Sequence, residues 1–212
     1  MPPKPKFTRE QIVAAALELV AERGMEALTA RELGNRLGSS ARPIFTVFGS
    51  MEEVQREVRT AAMKRFEAYA EKAMGYTPAF KQVGMQMILF AREEPKLYQL
   101  LFLSENDQVR DFSDLFDSLG ELAGACLEML ERDYGLGREE AQVLFWHVWV
   151  YTFGLGALCA AHACRFSEEE IVEMLGRDFA AMLALIRSGG LGRPTPVPAK
   201  TGVQESEKEK ET

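Results

Sequence analysis

Apolar residues recur three and four positions apart along most of the chain, and no stretch alternates with period two for long enough to make a strand. The first such run, Ile12, Val13, Ala16, Leu17 and Val20, is one face of a helix opened by Thr8, with Gln11 completing a capping box, and closed by Gly24. Met25 and Leu28 fall in the connection. Thr29 caps a second, short helix with Glu32 as its reciprocal partner, Ala30, Leu33 and Leu37 as its apolar side and Gly38 as its end. Ser39 and Ser40 offer the next cap, and Pro43 follows within the first turn, where a missing N–H costs nothing. Ile44, Val47 and Phe48 form the buried side of this third helix, leaving Arg42, Phe45 and Thr46 to point outward. Gly49 breaks the chain, and Ser50 with Glu53 opens a long helix, 50–73, through Val54, Val58, Ala61, Ala62, Phe66 and Tyr69. Two short helices joined by a tight glycine turn predict a helix-turn-helix, whose second helix enters the DNA major groove.

The remaining pattern predicts helices at 78–93, 95–103, 107–134, 139–164 and 168–187, so the fold class is all-α. A basic arm, 1–7, precedes a helix-turn-helix unit, 8–66. A larger helical unit, 67–187, follows. Ser188–Thr212 has Gly, Pro and alternating charge with little to bury, the composition of a disordered tail.

Charge supports this division. The 212-residue chain has a formal net charge of -7, unpromising for a nucleic-acid partner. Residues 1–66, however, carry 11 basic and 8 acidic side chains, net +3, while 67–212 carry 14 and 24, net −10. The basic end is the helix-turn-helix end, and an acidic remainder keeps the rest of the protein off the phosphates. Three cysteines without framework spacing suit a reducing cytoplasm. MPPKPKFTRE has no apolar core and is no signal peptide. Val143–Ala163 nears the minimum length of a membrane span, yet it lacks basic interfacial clusters and has equally apolar neighbours, which predicts a buried helix and no membrane partner.

From Thr29 to Val54 the chain resembles the tetracycline-repressor (TetR) family of bacterial transcription regulators, and the likeness spans about the first 60 residues. It is carried by Gly24, Leu28–Thr29, Leu37–Gly38, Ser39–Ser40, Ile44–Phe45, Phe48, Gly49–Ser50 and Met51–Glu52–Glu53–Val54, all at the family's spacing. Three positions depart from it: Phe45 stands where Tyr is usual, Thr46 where His is common, and Met51 where Lys is usual. The resemblance implies an N-terminal three-helix DNA-binding domain, a larger effector-binding and dimerisation domain, and a ligand-responsive regulator, commonly a repressor, that binds a palindromic operator in double-stranded DNA as a homodimer. Its implied DNA-facing residues are Lys4, Lys6, Thr29, Ala30, Arg31, Ser39, Ser40, Ala41, Arg42, Pro43, Phe45 and Thr46, with Arg42 foremost because arginine in the first turn of a recognition helix reaches guanine edges. Trp149–Leu158 is similar to a W…HG stretch of the family's ligand domains, with Phe153 in place of His.

Phe80, Val83, Met87 and Phe90 make an apolar stripe, with Leu101, Phe112, Phe116, Leu119, Phe145 and Trp149 as companions. Such a stripe is either plain core or, as the resemblance implies, the wall of a pocket for a small, largely apolar effector. Gly154, Ala157 and Ala161, with Leu175, Phe179, Met182 and Leu183, suit a four-helix homodimer interface. Cys159, His162 and Cys164 do not share one helical face, so core packing outweighs a metal site, and His147 is expected to be a core histidine. With no phosphate loop and no nucleophile constellation, an enzyme is the weakest reading, and no cofactor is expected. The competing function is a helical small-molecule or protein-binding module that has lost specific DNA binding, motivated by Phe45, Met51 and the acidic total.

Overall fold

The structure is a computed structural model describing residues 5–73, 75–76, 78–104 and 119–190. Helix α1, Arg9–Arg23, starts as its sequence requires: the Gln11 N–H donates to Thr8 Oγ1 at 3.2 Å, and the Thr8 N–H returns a bond to Gln11 Oε1 at 2.9 Å. Gly24 ends it, and a 3-10 turn over Met25–Ala27 leads into α2, Ala30–Arg36. Thr29 caps α2 through the Glu32 N–H, but the expected capping box is only half formed. The Glu32 carboxylate instead accepts from Arg23, which ties α2 to the end of α1.

The long helix α3, Met51–Ala73, begins with a variation on its expected box. Glu53 reaches one residue further back and accepts the Gly49 N–H at 2.8 Å. Its other oxygen accepts from Arg9 at 2.9 Å, and Arg9 also donates to Glu57 at 2.7 Å while its guanidinium lies 4.4 Å from the Phe48 ring centre. The Gly49 N–H, and then Arg9, hold the Glu53 carboxyl below the ordinary carboxylate range. The buried Val54 and Val58 face α1, and further along Phe66 meets Phe90 edge-on at 5.4 Å.

Four further helices and one short one complete the described chain. They are α4 (Ala79–Glu93), α5 (Pro95–Tyr98), α6 (Glu121–Tyr134), α7 (Arg138–Ala160) and α8 (Glu168–Arg187). Helix α4 lies between α3 and α7, and α7 also packs on α6 and α8. Helix α7 is long and apolar enough to cross a membrane, but half of its most apolar window is buried against the other helices (50%). The predicted helix at 95–103 is in fact α5 followed by a π-helical turn, Gln99–Leu103. That turn is held from three sides: Arg59 on α3 donates to the Leu100 carbonyl at 2.9 Å, Gln99 donates to the Ala160 carbonyl at 2.8 Å, and Ser104 donates to Leu100 O at 2.6 Å.

Helix α7 stops at Ala160, short of the expected 164. His162 adopts φ 53, the left-handed conformation that terminates helices, a position usually marked by glycine and therefore invisible in the pattern. His162 and Cys164 are exposed, which corrects the expectation that they pack in the core with the buried Cys159. Of the predicted 107–134 helix, the part before 119 lies outside the described residues, as does most of the 188–212 tail.

Two close approaches depend on glycine. A Cβ at Gly34 would sit 3.0 Å from the Ala41 backbone nitrogen, and one at Gly156 would sit 2.5 Å from the Tyr98 hydroxyl. The space at Gly156 admits the buried Tyr98 phenol, which donates to the Phe153 carbonyl at 3.0 Å. Gly34→Ala forces backbone rather than a flexible tip to move, so it should cost about 1–3 kcal/mol in thermal or denaturant unfolding. Gly124→Ala, in open space inside α6, should instead gain up to about 1 kcal/mol.

Candidate functional site

The segment expected to be the recognition helix is not an α-helix. Residues 41–47 are held by i→i+3 bonds, Ile44 N–H to Ala41 O at 3.1 Å, Thr46 N–H to Pro43 O at 3.3 Å and Val47 N–H to Ile44 O at 3.0 Å, with a 3-10 turn over Ile44–Thr46. Pro43 accounts for this. It disfavours the α conformation at Arg42, so regular structure cannot run back to the serines. Neither Ser39 nor Ser40 caps it; Ser39 Oγ accepts from Lys6 at 3.1 Å instead. The expected sides are nonetheless kept. Ile44 and Phe48 are buried, Val47 is half-buried, and Arg42, Phe45 and Thr46 are exposed. Thr46 Oγ1 donates to the Pro43 carbonyl at 2.6 Å, committing its proton within the turn.

Cations of these first helices divide into two sets. Arg9, Arg23, Arg36 and Arg65 are paired with carboxylates and brace the helices against one another; Arg36 clamps Glu22 at 2.6 Å, and that contact holds the Glu22 carboxyl below its ordinary range. Arg31 on α2 and Arg42 on the 3-10 segment are exposed and have no hydrogen bond or ion pair among the described residues. Phe45 is 49% exposed beside them. Thr29, Ser40 and Lys6 are exposed, while Ala30, Ser39, Ala41 and Pro43 are half-buried; Lys4 lies outside the described residues. An exposed surface with unneutralised guanidinium groups, donor hydroxyls and one bare aromatic ring is suited to phosphates and base edges.

A second candidate site lies among α4, α6, α7 and α8. Phe80, Lys81, Val83, Gly84, Cys126, Phe145, Val148, Trp149, Thr152, Leu175 and Phe179 line a narrow cavity of about 30 Å³. Four expected pocket residues, Phe80, Val83, Phe145 and Trp149, line it. Met87 and Phe90 are buried but do not; Phe90 packs on Phe66 and Tyr69. Leu101 is half-buried and Leu119 buried, neither on the wall, while Phe112 and Phe116 lie outside the described residues. Leu175 and Phe179, expected at a dimer face, line this cavity from α8. Lys81, Gly84, Cys126, Val148 and Thr152 also line it and were not expected; four of the five are polar or small and carry no stripe signal.

The outer surface of α7 and α8 carries Trp146, Val150, Leu158 and Leu185 at 37–45% exposure, around the open Gly154 and Ala161 and the half-buried Ala157, Met182 and Leu183. His147 lies on this surface with its Nε2 3.3 Å from Asp178, so it is not the core histidine expected.

Among the described residues the structure is all-helical, with an N-terminal helix-turn-helix whose exposed side carries the unpaired Arg31 and Arg42, and this defines the class: a helix-turn-helix DNA-binding regulator. Residues 12–58, the helix-turn-helix part of the chain, match the bacterial regulatory proteins of the tetR family. No curated protein matches it in sequence. Solved structures show the same fold at low identity. A putative TetR family transcriptional regulator from Vibrio parahaemolyticus has TM-score 0.56 and 17% identity, covering 82% of this chain and 97% of its own. The fatty acid degradation regulator FadR from Bacillus halodurans has 0.54 and 14%, covering 87% and 96%. FadR from Thermus thermophilus, a TetR family repressor in complex with lauroyl-CoA, has 0.53 and 21%, covering 90% and 99%.

Met51, half-buried at the start of α3, leaves the head without a cation there. Met51→Lys should tighten binding to non-specific duplex and steepen its salt dependence by about one unit of log–log slope. A slope equal to wild type, from affinities measured across a salt series, would count against that position lying at the phosphates.

Proposed function

We propose that this chain is a ligand-responsive repressor that binds a palindromic operator as a homodimer. The observation that carries the reading is the pairing of two features linked through two packed helices. Exposed Arg31 and Arg42, without acidic partners among the described residues, lie on the helix-turn-helix, and a narrow apolar cavity lies beyond it. Helix α4 lines the cavity and packs along α3, whose first turns pack on α1.

In this reading residues 8–66 form the DNA-binding unit and 67–187 the effector and dimerisation unit. Arg42 contacts a base or phosphate from the 3-10 segment. Thr29, Ala30, Arg31, Ser39, Ser40, Ala41, Pro43, Phe45, Thr46 and the arm at Lys6 complete the DNA-facing surface. Backbone N–H groups at the start of α2 supply anion donors that need no side chain. The apolar outer face of α7 and α8 pairs with the same face of a second copy, with Gly154, Ala157 and Ala161 allowing close approach and Met182 and Leu183 packing across. A dyad there would set two heads against successive turns of the major groove.

Effector control follows from differential affinity. A ligand that occupies the cavity favours a conformation in which α4 shifts against α3, and the spacing of the two heads then no longer matches the operator. The lauroyl-CoA held by the similar Thermus protein supports a small molecule with an apolar body as the effector.

The test is Arg42→Ala against wild type on a duplex selected by the protein from random sequence. Specific binding should weaken by about 1–3 kcal/mol, with discrimination relaxed at one position of each half-site. If wild-type affinity is weak at low salt and flat as salt rises, the head has lost DNA binding and the chain acts as a ligand- or protein-binding module.

A further inference from the structure

The cavity's polar groups are few, and two of them, Trp149 and Lys81, call for an acceptor or an anion. Trp149 is 5% exposed, and its indole N–H is sealed from solvent without an acceptor. A buried donor left unpaired is costly, and this one belongs to a residue on the cavity wall. Thr152 has already given its proton to the Val148 carbonyl at 2.7 Å. Burial pushes the Cys126 thiol up to about 12, so it stays neutral. Lys81 is the one charged residue on the wall. Its ammonium would lie 3.7 Å from a Cβ at Gly176, over the α8 side of the opening, and it has no ion pair among the described residues. No carboxylate lines the cavity.

We infer that the effector is a small hydrocarbon or aromatic carboxylate. Its apolar body fills the space between Phe80, Phe145 and Phe179, opened as the walls part, and its carboxylate pairs with the exposed Lys81 at the rim. This rests on the ligand-responsive reading above and sharpens it. A cation would find no counter-charge in the wall, and a phosphate or sugar would find too few donors to replace its water. The cavity as it stands is about 30 Å³, so its walls must part to admit a ligand, and it has no room for a nucleotide-sized head group. The free space is narrow, so entry requires the half-buried Phe179 to swing aside. That ring stacks against Phe80 at 5.9 Å and Tyr134 at 4.9 Å.

The experiment compares octanoate, octanamide, octylamine and octanoyl-CoA, and 3-phenylpropionate with its amide. Each is scored by calorimetric binding to the full-length protein and by release of the selected duplex. Carboxylates should bind at least about tenfold more tightly than the matched amides and amine, the difference expected of one charge-assisted contact. Lys81→Met should erase that preference while leaving amide affinity unchanged, a pattern that loss of folding would not give. Equal binding of acid and amide, preference for the amine or the CoA ester, or no binding by any probe would overturn the carboxylate assignment. If the CoA ester or amine both binds and releases DNA, ligand response stands while the carboxylate class falls. If carboxylates bind as described but the duplex stays bound, the class stands and control of DNA binding falls.

Discussion

One helix takes part in two packing problems at once, and the rest of the molecule is arranged around that constraint. The first turns of α3 are buried against α1 through Val54 and Val58 and fastened by Arg9 to Glu53 and Glu57. Its later turns are buried against α4 through Phe66, which meets both Phe90 and Phe102 edge-on. Close-packed interiors deform little, so a displacement at one end of such a helix appears at the other. The surface ion pairs are individually weak, each worth at most about 1 kcal/mol, and serve mainly to fix orientation.

The π-helical turn adds a second tie between the same regions. Gln99 holds it to the last turn of α7, Arg59 holds it to α3, and Tyr98 just before it passes beneath Gly156 to reach Phe153. Single π turns within helical segments occur often where function needs an irregular backbone. Here it lets three hydrogen bonds from different elements converge on five residues. Removing the space at Gly156 would displace the phenol and with it the start of this turn.

Much of this was legible in sequence because it is local. Thr8, Thr29 and Ser50 announce helix starts through side chains that reach only three residues ahead, and the 168–187 helix has its expected ends. What escaped was set by tertiary geometry or by a single unusual residue. The Glu32 and Glu53 carboxylates chose partners other than their own caps because arginines from α1 were in reach. Leu175 and Phe179 were assigned outward because periodicity gives a face but not the neighbour it meets. Gly34 gave no signal, and at Gly156 the group admitted, the Tyr98 phenol, is too distant in sequence to be named from the pattern. Pro43 was visible, but its effect on the residue before it outweighed its tolerance at a helix start.

That proline has a geometric outcome for how the protein meets DNA. A 3-10 turn is narrower than an α-helix and makes a full turn in three residues. Here it spans only Ile44–Thr46, so Arg42 stands ahead of it and Phe45 within it. The exposed guanidinium and ring therefore leave the head from a short, tight loop instead of from one face of a long cylinder.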